Sequence, residues 1–192
     1  MDVLELVKKR RSIRKYSSKQ ISHEAMVKIL EAGTYAPNAG GGQRSYLVGI
    51  RDEKIVRRIG RLNFLPFDRS KLLGGHVSDE QPSVIDDSRI EDGFYGAPAV
   101  VVLFGQADFP FSVADAFCSA ENMVLMATDM GLGSCIISRG EETFITDEGK
   151  ALLKEWKVPS NYICRAFVIL GYIDGEYPKG KPRRPGRVML VE

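Results

Sequence analysis

The sequence contains few of the side chains that usually ligate metals or act as nucleophiles. It has two histidines, His23 and His76, and three cysteines, with no Cys-x-x-Cys or His-x-x-x-His pair. These counts and spacings argue against a zinc site. They also leave no convincing Ser/His/Asp arrangement, catalytic carboxylate pair or activated Cys/His pair. We therefore assign no metal ligand and no catalytic side chain, and we expect a bound cofactor to supply the chemistry.

Long apolar runs and an excess of one charge are also missing. No apolar run approaches the length of a membrane span, and the N-terminus leads directly into Lys8 and Lys9 rather than a secretory signal. The 27 basic and 25 acidic side chains leave a formal charge of +2, which argues against a broad nucleic-acid-binding face. The odd, widely spaced Cys118, Cys135 and Cys164 lie in apolar surroundings and predict buried free thiols. Together these features predict a cytoplasmic protein that binds neither membranes nor nucleic acid.

Basic residues do cluster at both ends of the chain. The first cluster is Arg10-Arg11-Ser12-Ile13-Arg14, and the second is Lys181-Pro182-Arg183-Arg184. Each cluster alone is more typical of a solvated surface. If the fold brings them together, however, the guanidinium forks and the ammonium group would form a phosphate clamp.

A glycine-rich turn, Ala36-Pro37-Asn38-Ala39-Gly40-Gly41-Gly42-Gln43, follows a predicted helix. Successive glycines permit unusual backbone angles and allow a flat ligand to approach the peptide groups. The same composition is also typical of an ordinary flexible connection. The turn alone therefore leaves a binding role open.

The hydrophobic pattern predicts intermixed helices and strands in one domain, residues 1–192. Expected helices cover about 2–10, 23–33, 53–62, 112–130 and 147–156, and expected strands cover 46–50, 98–104, 134–138 and 163–171. Ser22, Asp52 and Thr146 are predicted N-caps, and Ser112 with Asp115 is predicted to form a capping box. Regular periodicity is lost in a lid-like segment, 63–96, and in a C-terminal arm, 174–192.

Two glycine motifs suggest nucleotide-binding loops but do not fit them. Gly131-Leu132-Gly133 lacks a third glycine and lies between a helix and a strand, which is the reverse of a dinucleotide-binding turn. The stretch 175–182 has P-loop spacing, but Pro182 replaces the hydroxyl residue that would meet magnesium. ATP or GTP hydrolysis is therefore rejected.

Taken together, these motifs resemble those of the flavin-dependent nitroreductase family, in order and spacing, over nearly the whole chain. The motifs are Arg10–Arg14, Ala36–Gln43, Gly131–Ser134 and Lys181–Arg183. The resemblance implies an α+β fold with three α/β/α layers around a mixed, mainly antiparallel sheet. It also implies a homodimer with FMN at the subunit interface. The implied activity is transfer of hydride from NADH or NADPH to FMN, followed by ping-pong reduction of a nitroaromatic, a quinone or a similar small acceptor.

The resemblance further implies which residues bind FMN. The residues expected at the phosphate and ribityl chain are Arg10, Arg11, Ser12, Arg14, Lys181 and Arg183. The residues expected to line the flavin ring, usually from the other subunit, are Pro37, Asn38, Ala39, Gly41 and Gln43. Those expected on the opposite ring face are Cys135, Ile136 and Ser138.

Several positions depart from the family pattern. The family commonly has serine, asparagine and a Gln-Pro-Trp run where this chain has Asn38, Gly41 and Gln43-Arg44-Ser45, and Gly41 cannot make the side-chain bonds of that asparagine. Some relatives also carry an acidic residue and a glycine near the flavin N5, where Ser138 and Arg139 stand here.

The irregular 63–96 segment leaves a further choice open. Its aromatic residues either cover the flavin or anchor the segment to the core; they are Phe64, Phe67, Phe94 and Tyr95. Two other functions also stay open at this point. One is an FMN-binding sensor or storage protein without turnover, and the other is a non-flavin module whose basic ends bind an anionic partner.

Overall fold

The computed structural model describes residues 2–72 and 75–192, and its centre is a four-stranded sheet. The strands are β1 (Tyr46–Ile50), β2 (Ala99–Gln106), β3 (Gly133–Ile137) and β4 (Tyr162–Gly171). Their order is β1-β2-β4-β3, and every neighbouring pair is antiparallel. A parallel bridge between Ser12 and Ser134 adds the N-terminal segment beside β3. The sheet is therefore mainly antiparallel, as predicted.

Five α-helices of the described ranges surround this sheet. They are α1 (Val3–Lys9), α2 (His23–Thr34), α3 (Glu53–Phe64), α4 (Ser112–Asp129) and α5 (Asp147–Glu155). All five begin and end within three residues of the positions that the hydrophobic pattern predicts. None of the helices in 2–72 and 75–192 combines the length and the apolar character that a bilayer crossing requires.

Strand β2 shows how the sequence produces three layers. Val101 and Leu103 point to the face covered by α2 and α4, where Ile29 and Met123 are fully buried. Val102 points to the opposite face, which α3 and α5 cover. Because side chains alternate along a strand, a strand that is apolar at every position belongs between two helical layers. The predicted α/β/α arrangement is confirmed.

Three of the predicted helix caps are present, and one is wrong. Ser22, Asp52 and Thr146 each accept a backbone N–H bond in the first turn of their helices. Helix α4, in contrast, has Phe111 at its N-cap and no side-chain cap bond, so Ser112 and Asp115 do not form a capping box. The reason is tertiary: the Asp115 carboxylate instead accepts a bond from the glycine-rich turn.

In its described residues, the segment between α3 and β2 is irregular apart from a 3-10 turn at Arg69–Leu72. Phe94 is fully buried in it, and its ring lies 4.9 Å from that of Phe167 in β4. Phe94 therefore anchors the segment to the core.

The cysteine prediction is confirmed for Cys135 and Cys164, which are buried, but it is wrong for Cys118, which is exposed. Helix α4 directs Ala116, Ala120 and Val124 toward the core, and position 118 faces away from them.

Candidate functional site

The N-terminal basic cluster lies along the edge of β3. Helix α1 ends at Lys9, and the chain then runs beside β3, where the Ile13 N–H donates to the Ser134 carbonyl at 2.9 Å. This pairing places Ser12 beside Ser134. Burial raises the pKa of the neighbouring Cys135 thiol, and the Ser12 side chain lowers it against that larger effect. The charge of Arg10 also acts on that thiol. The structure thus brings together the predicted phosphate cluster and the start of the predicted ring-facing strand.

Arg11 closes the C-terminal end of α1. Its Nη1 donates to the carbonyls of Lys8, Lys9 and Arg10 at 2.6, 3.1 and 2.7 Å. A guanidinium at this position satisfies free carbonyls and complements the negative end of the helix dipole. Its Nε is buried and has no hydrogen-bond partner among the described residues.

The C-terminal arm returns along the same segment. The Asp174 N–H donates to the Lys15 carbonyl at 3.1 Å, and the Tyr177 hydroxyl donates to the Lys9 carbonyl at 2.9 Å. A Cβ on Gly180 would lie 2.1 Å from Nη2 of Arg11, so glycine permits the arm to cross this guanidinium. The two basic ends of the chain are therefore neighbours.

Two further predicted phosphate ligands lie beyond this crossing. The Lys181 Nζ donates to the Val77 carbonyl at 2.7 Å. Arg183 is exposed, and it has neither a hydrogen bond nor an ion pair with residues 2–72 or 75–192.

Arg14 contacts a residue that the sequence did not indicate. Its backbone N–H donates to Oε1 of Gln81 at 2.6 Å, and its Nη1 donates to the Gln81 carbonyl at 3.2 Å. The guanidinium also lies 5.8 Å from the centre of the Tyr95 ring. The turn 76–86 thus connects Arg14 with Lys181. Gln81 lies in an irregular segment without a motif, so no sequence signal could have found it.

A carboxylate organises that turn. Asp86 accepts hydrogen bonds from the N–H groups of Val77, Ser78 and Ser83, and from the Ser83 hydroxyl. Burial alone would raise the pKa of Asp86, but these bonds outweigh it and lower the pKa to about 2. Asp86 is therefore ionised at neutral pH and holds the Val77 carbonyl beside Lys181.

The three residues predicted on β3 differ in exposure. Cys135 is buried, Ile136 is half-buried, and Ser138 is exposed just beyond the strand. Burial raises the pKa of the Cys135 thiol, although the charge of Arg14 opposes that shift. Cys135 is therefore a protonated thiol at neutral pH, which does not favour a role as nucleophile.

The glycine-rich turn is held by its own side chains and by α4. Oδ1 of Asn38 accepts a bond from the Gln43 N–H at 2.8 Å, and the Ala39 N–H donates to Oδ1 of Asp115 at 3.0 Å. Gly40 and Gly41 have φ values of 61° and 63°, in the left-handed region that favours glycine. Pro37, Gly41 and Gln43 are exposed, while Asn38 and Ala39 are half-buried.

The turn does not join the basic cluster within one chain. In 2–72 and 75–192 its side-chain hydrogen bonds stay within the turn or reach Arg44 and Asp115, and none reaches residues 10–14. Within the described part of one chain, no hydrogen bond therefore joins the predicted ring-lining turn to the predicted phosphate cluster.

The cluster at 10–14 suits a phosphate group. It carries three guanidinium groups. Two buried polar atoms, Nε of Arg11 in the cluster and Oγ of Ser134 in the adjoining strand, have no partner among the described residues. Buried polar groups are normally hydrogen-bonded, and an anionic oxygen would satisfy the Arg11 donor.

Metal ligands are not assembled in the same way, since the described part of the chain holds no group of three or more His, Cys, Asp or Glu residues that could bind a metal ion.

Comparison with known proteins agrees with this description. The model of the family described as "Nitroreductase family" matches residues 7–172. A protein of Archaeoglobus fulgidus, named for NADH dehydrogenase and NAD(P)H nitroreductase activity, is 28% identical over 179 residues, which cover 89% of this chain and 85% of that protein. An NADPH-dependent oxidoreductase of Staphylococcus aureus is 30% identical over 68% of this chain, which spans 51% of that protein.

A solved structure extends the similarity to the whole fold. A nitroreductase from Bacteroides fragilis, crystallised with bound FMN, superimposes with a TM-score of 0.81 at 28% identity. The match covers 100% of both chains.

Proposed function

The chain belongs to the nitroreductase family, and on that premise we propose that it is an FMN-dependent oxidoreductase that accepts hydride from NADH or NADPH. Its acceptors would be nitroaromatics, quinones or similar small molecules, reduced in a ping-pong cycle. The observation that carries the proposal is that the C-terminal arm crosses the Arg11 guanidinium, so that the two basic ends of the chain lie side by side. The FMN bound in the Bacteroides fragilis structure supports the choice of cofactor.

The phosphate and ribityl chain of FMN would be held by Arg10, Arg11, Ser12, Arg14, Lys181 and Arg183. Among these, Arg11 is already fixed by the carbonyls at the end of α1, and Arg14 by Gln81. Donors that are fixed before binding lose less conformational entropy when the ligand arrives. The clamp is thus preorganised at two of its positions.

Bound FMN would supply the hydride and electron chemistry of the reaction. The protein would contribute the surfaces on either side of the ring: the turn at 37–43, and Cys135, Ile136 and Ser138 at β3. Cys135 is buried as a protonated thiol and therefore brings no charge to this side of the ring. No side chain of this chain is assigned a catalytic proton transfer.

We also infer a homodimer with the flavin at the subunit interface. Three observations support it. No hydrogen bond in the described part of the chain joins the ring-lining turn to the phosphate cluster. The arm residues Val188–Val191 are each at least 80% exposed, and a groove of about 720 Å³ lies between α1, α2 and α4. Leu6, Ala32 and Met126 are among the residues that line this groove. Exposed apolar segments of this kind are typical of association surfaces. A monomeric mass from light scattering would contradict this inference.

An absorption spectrum of the purified protein tests the proposed function. Flavin peaks that bleach on anaerobic addition of NADH or NADPH, and return with a nitroaromatic or quinone, are expected. Flavin that does not respond to nicotinamide would instead identify a sensor or storage protein. A colourless protein that does not take up FMN would refute the cofactor assignment and leave the basic clusters as a surface for another anion.

A further inference from the structure

Arg139 follows β3, and its side chain lies between the end of that strand and the 63–96 segment. Its guanidinium stands 4.3 Å from the centre of the Phe67 ring, and its Nη2 donates to Oδ1 of Asn63 at 3.1 Å. Asn63 is fully buried and in turn donates to the Arg139 carbonyl and to Thr143 at 2.9 and 3.0 Å. The guanidinium is thus held in one orientation by a buried amide and an aromatic ring.

One side of this guanidinium is unsatisfied. Its Nη1 is buried and has no hydrogen-bond acceptor in 2–72 or 75–192. A buried donor without a partner is costly, and such groups in native proteins call for an explanation. Arginine cannot lose its proton in a protein, so the group cannot relieve this cost by becoming neutral.

The charge of Arg139 also lacks a close carboxylate among the described residues. Arg165 offers a comparison, since its Nε is likewise unpartnered but its Nη1 forms an ion pair with Glu141. No ion pair of this kind involves Arg139 in the described ranges, and the acidic group that acts on it, Glu142, is exposed. The Arg139 side chain is half-buried, with its Nη1 buried. Because a charge that is partly removed from water is stabilised by an opposite charge, an anion is the group that would complete this site.

Arg139 lies near the proposed flavin site without belonging to its phosphate clamp. Tyr95 lies near both places. The Arg14 guanidinium is 5.8 Å from the centre of its ring, and while burial raises the pKa of its hydroxyl, the charges of Arg14 and Arg139 lower it. Ser138, the neighbour of Arg139 in sequence, is exposed. A ligand held by Arg139 would therefore lie beside the ring-facing end of β3, between aromatic side chains.

We propose that Arg139 binds the carboxylate of an aromatic electron acceptor, so that the protein reduces anionic aromatic substrates in preference to neutral ones. The proposal rests on the proposed function, because it names the substrate class of the same site. The paired donors of a guanidinium suit a carboxylate, and the Phe67 ring provides an apolar wall for the aromatic part. The ring and the amide of Asn63 fix the donors in place before the acceptor arrives.

A kinetic comparison tests the proposal, with 4-nitrobenzoate and neutral 4-nitrobenzamide as the two acceptors. The wild-type protein is expected to prefer the nitrobenzoate in kcat/KM. Arg139→Gln is expected to reduce that preference by about tenfold or more, because a charge-assisted bond to the carboxylate is lost. The kcat/KM for nitrobenzamide should stay nearly unchanged. Arg139→Lys should restore part of the preference. Arg57→Gln, which removes an exposed arginine of α3, is the matched control and should leave kcat/KM for both acceptors unchanged.

A binding measurement without turnover separates this proposal from the proposed function. Calorimetric titration of the flavin-loaded protein with benzoate and benzamide should show tighter benzoate binding, and Arg139→Gln should abolish the difference. Equal binding of the two ligands by the wild-type protein would refute the Arg139 proposal even if nicotinamide still bleaches the flavin. Failure to hold or reduce flavin would instead refute the proposed function.

Two other results would also overturn the Arg139 proposal. Equal losses for both acceptors, together with a lower melting temperature, would show that Arg139 only holds the 63–96 segment. A change confined to the NADPH-to-NADH ratio of kcat/KM would place a nucleotide phosphate at this guanidinium.

Discussion

The carboxylate of Asp115, in the first turn of α4, holds the glycine-rich turn through a 3.0 Å bond from the backbone N–H of Ala39. Asp115 is 5% exposed, and its Oδ2 is buried without a partner among the described residues. The bond fixes Ala39 in the middle of the turn. The next two residues, Gly40 and Gly41, are glycines in the left-handed region, whose backbones are the most flexible when nothing holds them. The orientation of the proposed ring-lining surface therefore depends on a residue of another element.

Removing this acceptor should loosen the turn. In Asp115→Ala the Ala39 amide loses its partner, so its hydrogen exchange should accelerate by about tenfold, as expected for the loss of roughly one hydrogen bond. Asp115→Asn retains a carbonyl oxygen at the same place and should show little acceleration. Mass-spectrometric or NMR exchange at Ala39 gives the answer, and equal protection in wild type and Asp115→Ala would show that the bond does not hold the turn.

Ser112→Ala should leave the free energy of unfolding unchanged or raise it by up to about 1 kcal/mol, because the Ser112 hydroxyl is buried without a partner in the described part of the chain. A true capping serine behaves in the opposite way. Ser22 caps α2 by accepting the Ala25 N–H at 3.1 Å, and Ser22→Ala should cost about 1 kcal/mol. Urea unfolding of both variants provides the comparison. A similar loss of unfolding free energy in Ser112→Ala would show that Ser112 does cap α4.

These two serines illustrate what the sequence could and could not predict. The helices, the strands and the caps at Ser22, Asp52 and Thr146 depend on neighbours within a few residues, and the sequence predicted them correctly. The bond from Ala39 to Asp115 joins positions 76 apart, and that from Arg14 to Gln81 joins positions 67 apart. A local pattern carries no information about such partners. The local pattern therefore assigns Asp115 to a helix cap, and it assigns no role to Gln81.

Arg14→Ala should weaken FMN binding by about tenfold or more, because a charge-assisted bond to phosphate is lost. Riboflavin, which has no phosphate, should bind wild type and variant with similar affinity. Fluorescence titration of the flavin-free protein with each ligand makes the comparison, and Arg57→Ala on α3 is the control for removing a positive charge. Unchanged FMN affinity in Arg14→Ala would remove Arg14 from the clamp.

The stability of the protein should fall in acid partly through Asp86. Because the pKa of this carboxyl is lowered to about 2 in the folded state, its ionised form stabilises the fold above the ordinary value of 3.8, and this contribution is lost as the pH falls toward 2. Asp86→Asn should therefore be less stable than wild type at pH 7, and the difference should shrink below about pH 4. Urea unfolding at several pH values measures it. Asp79→Asn, which changes an exposed carboxylate of the same turn, is the matched control.

Gly41→Asn tests the departure of the glycine-rich turn from the family pattern. A Cβ at Gly41 would meet no atom of the described residues within 4 Å, and asparagine tolerates the left-handed backbone found there better than most residues do. The matched control is Gly40→Asn, since Gly40 has nearly the same φ and equally open surroundings. Both variants should lose similar, small amounts of stability. If position 41 faces the flavin in the dimer, only Gly41→Asn should bind FMN more tightly, because only there does the amide regain the family contact. Equal FMN affinity in the two variants would show that the turn does not present position 41 to the cofactor.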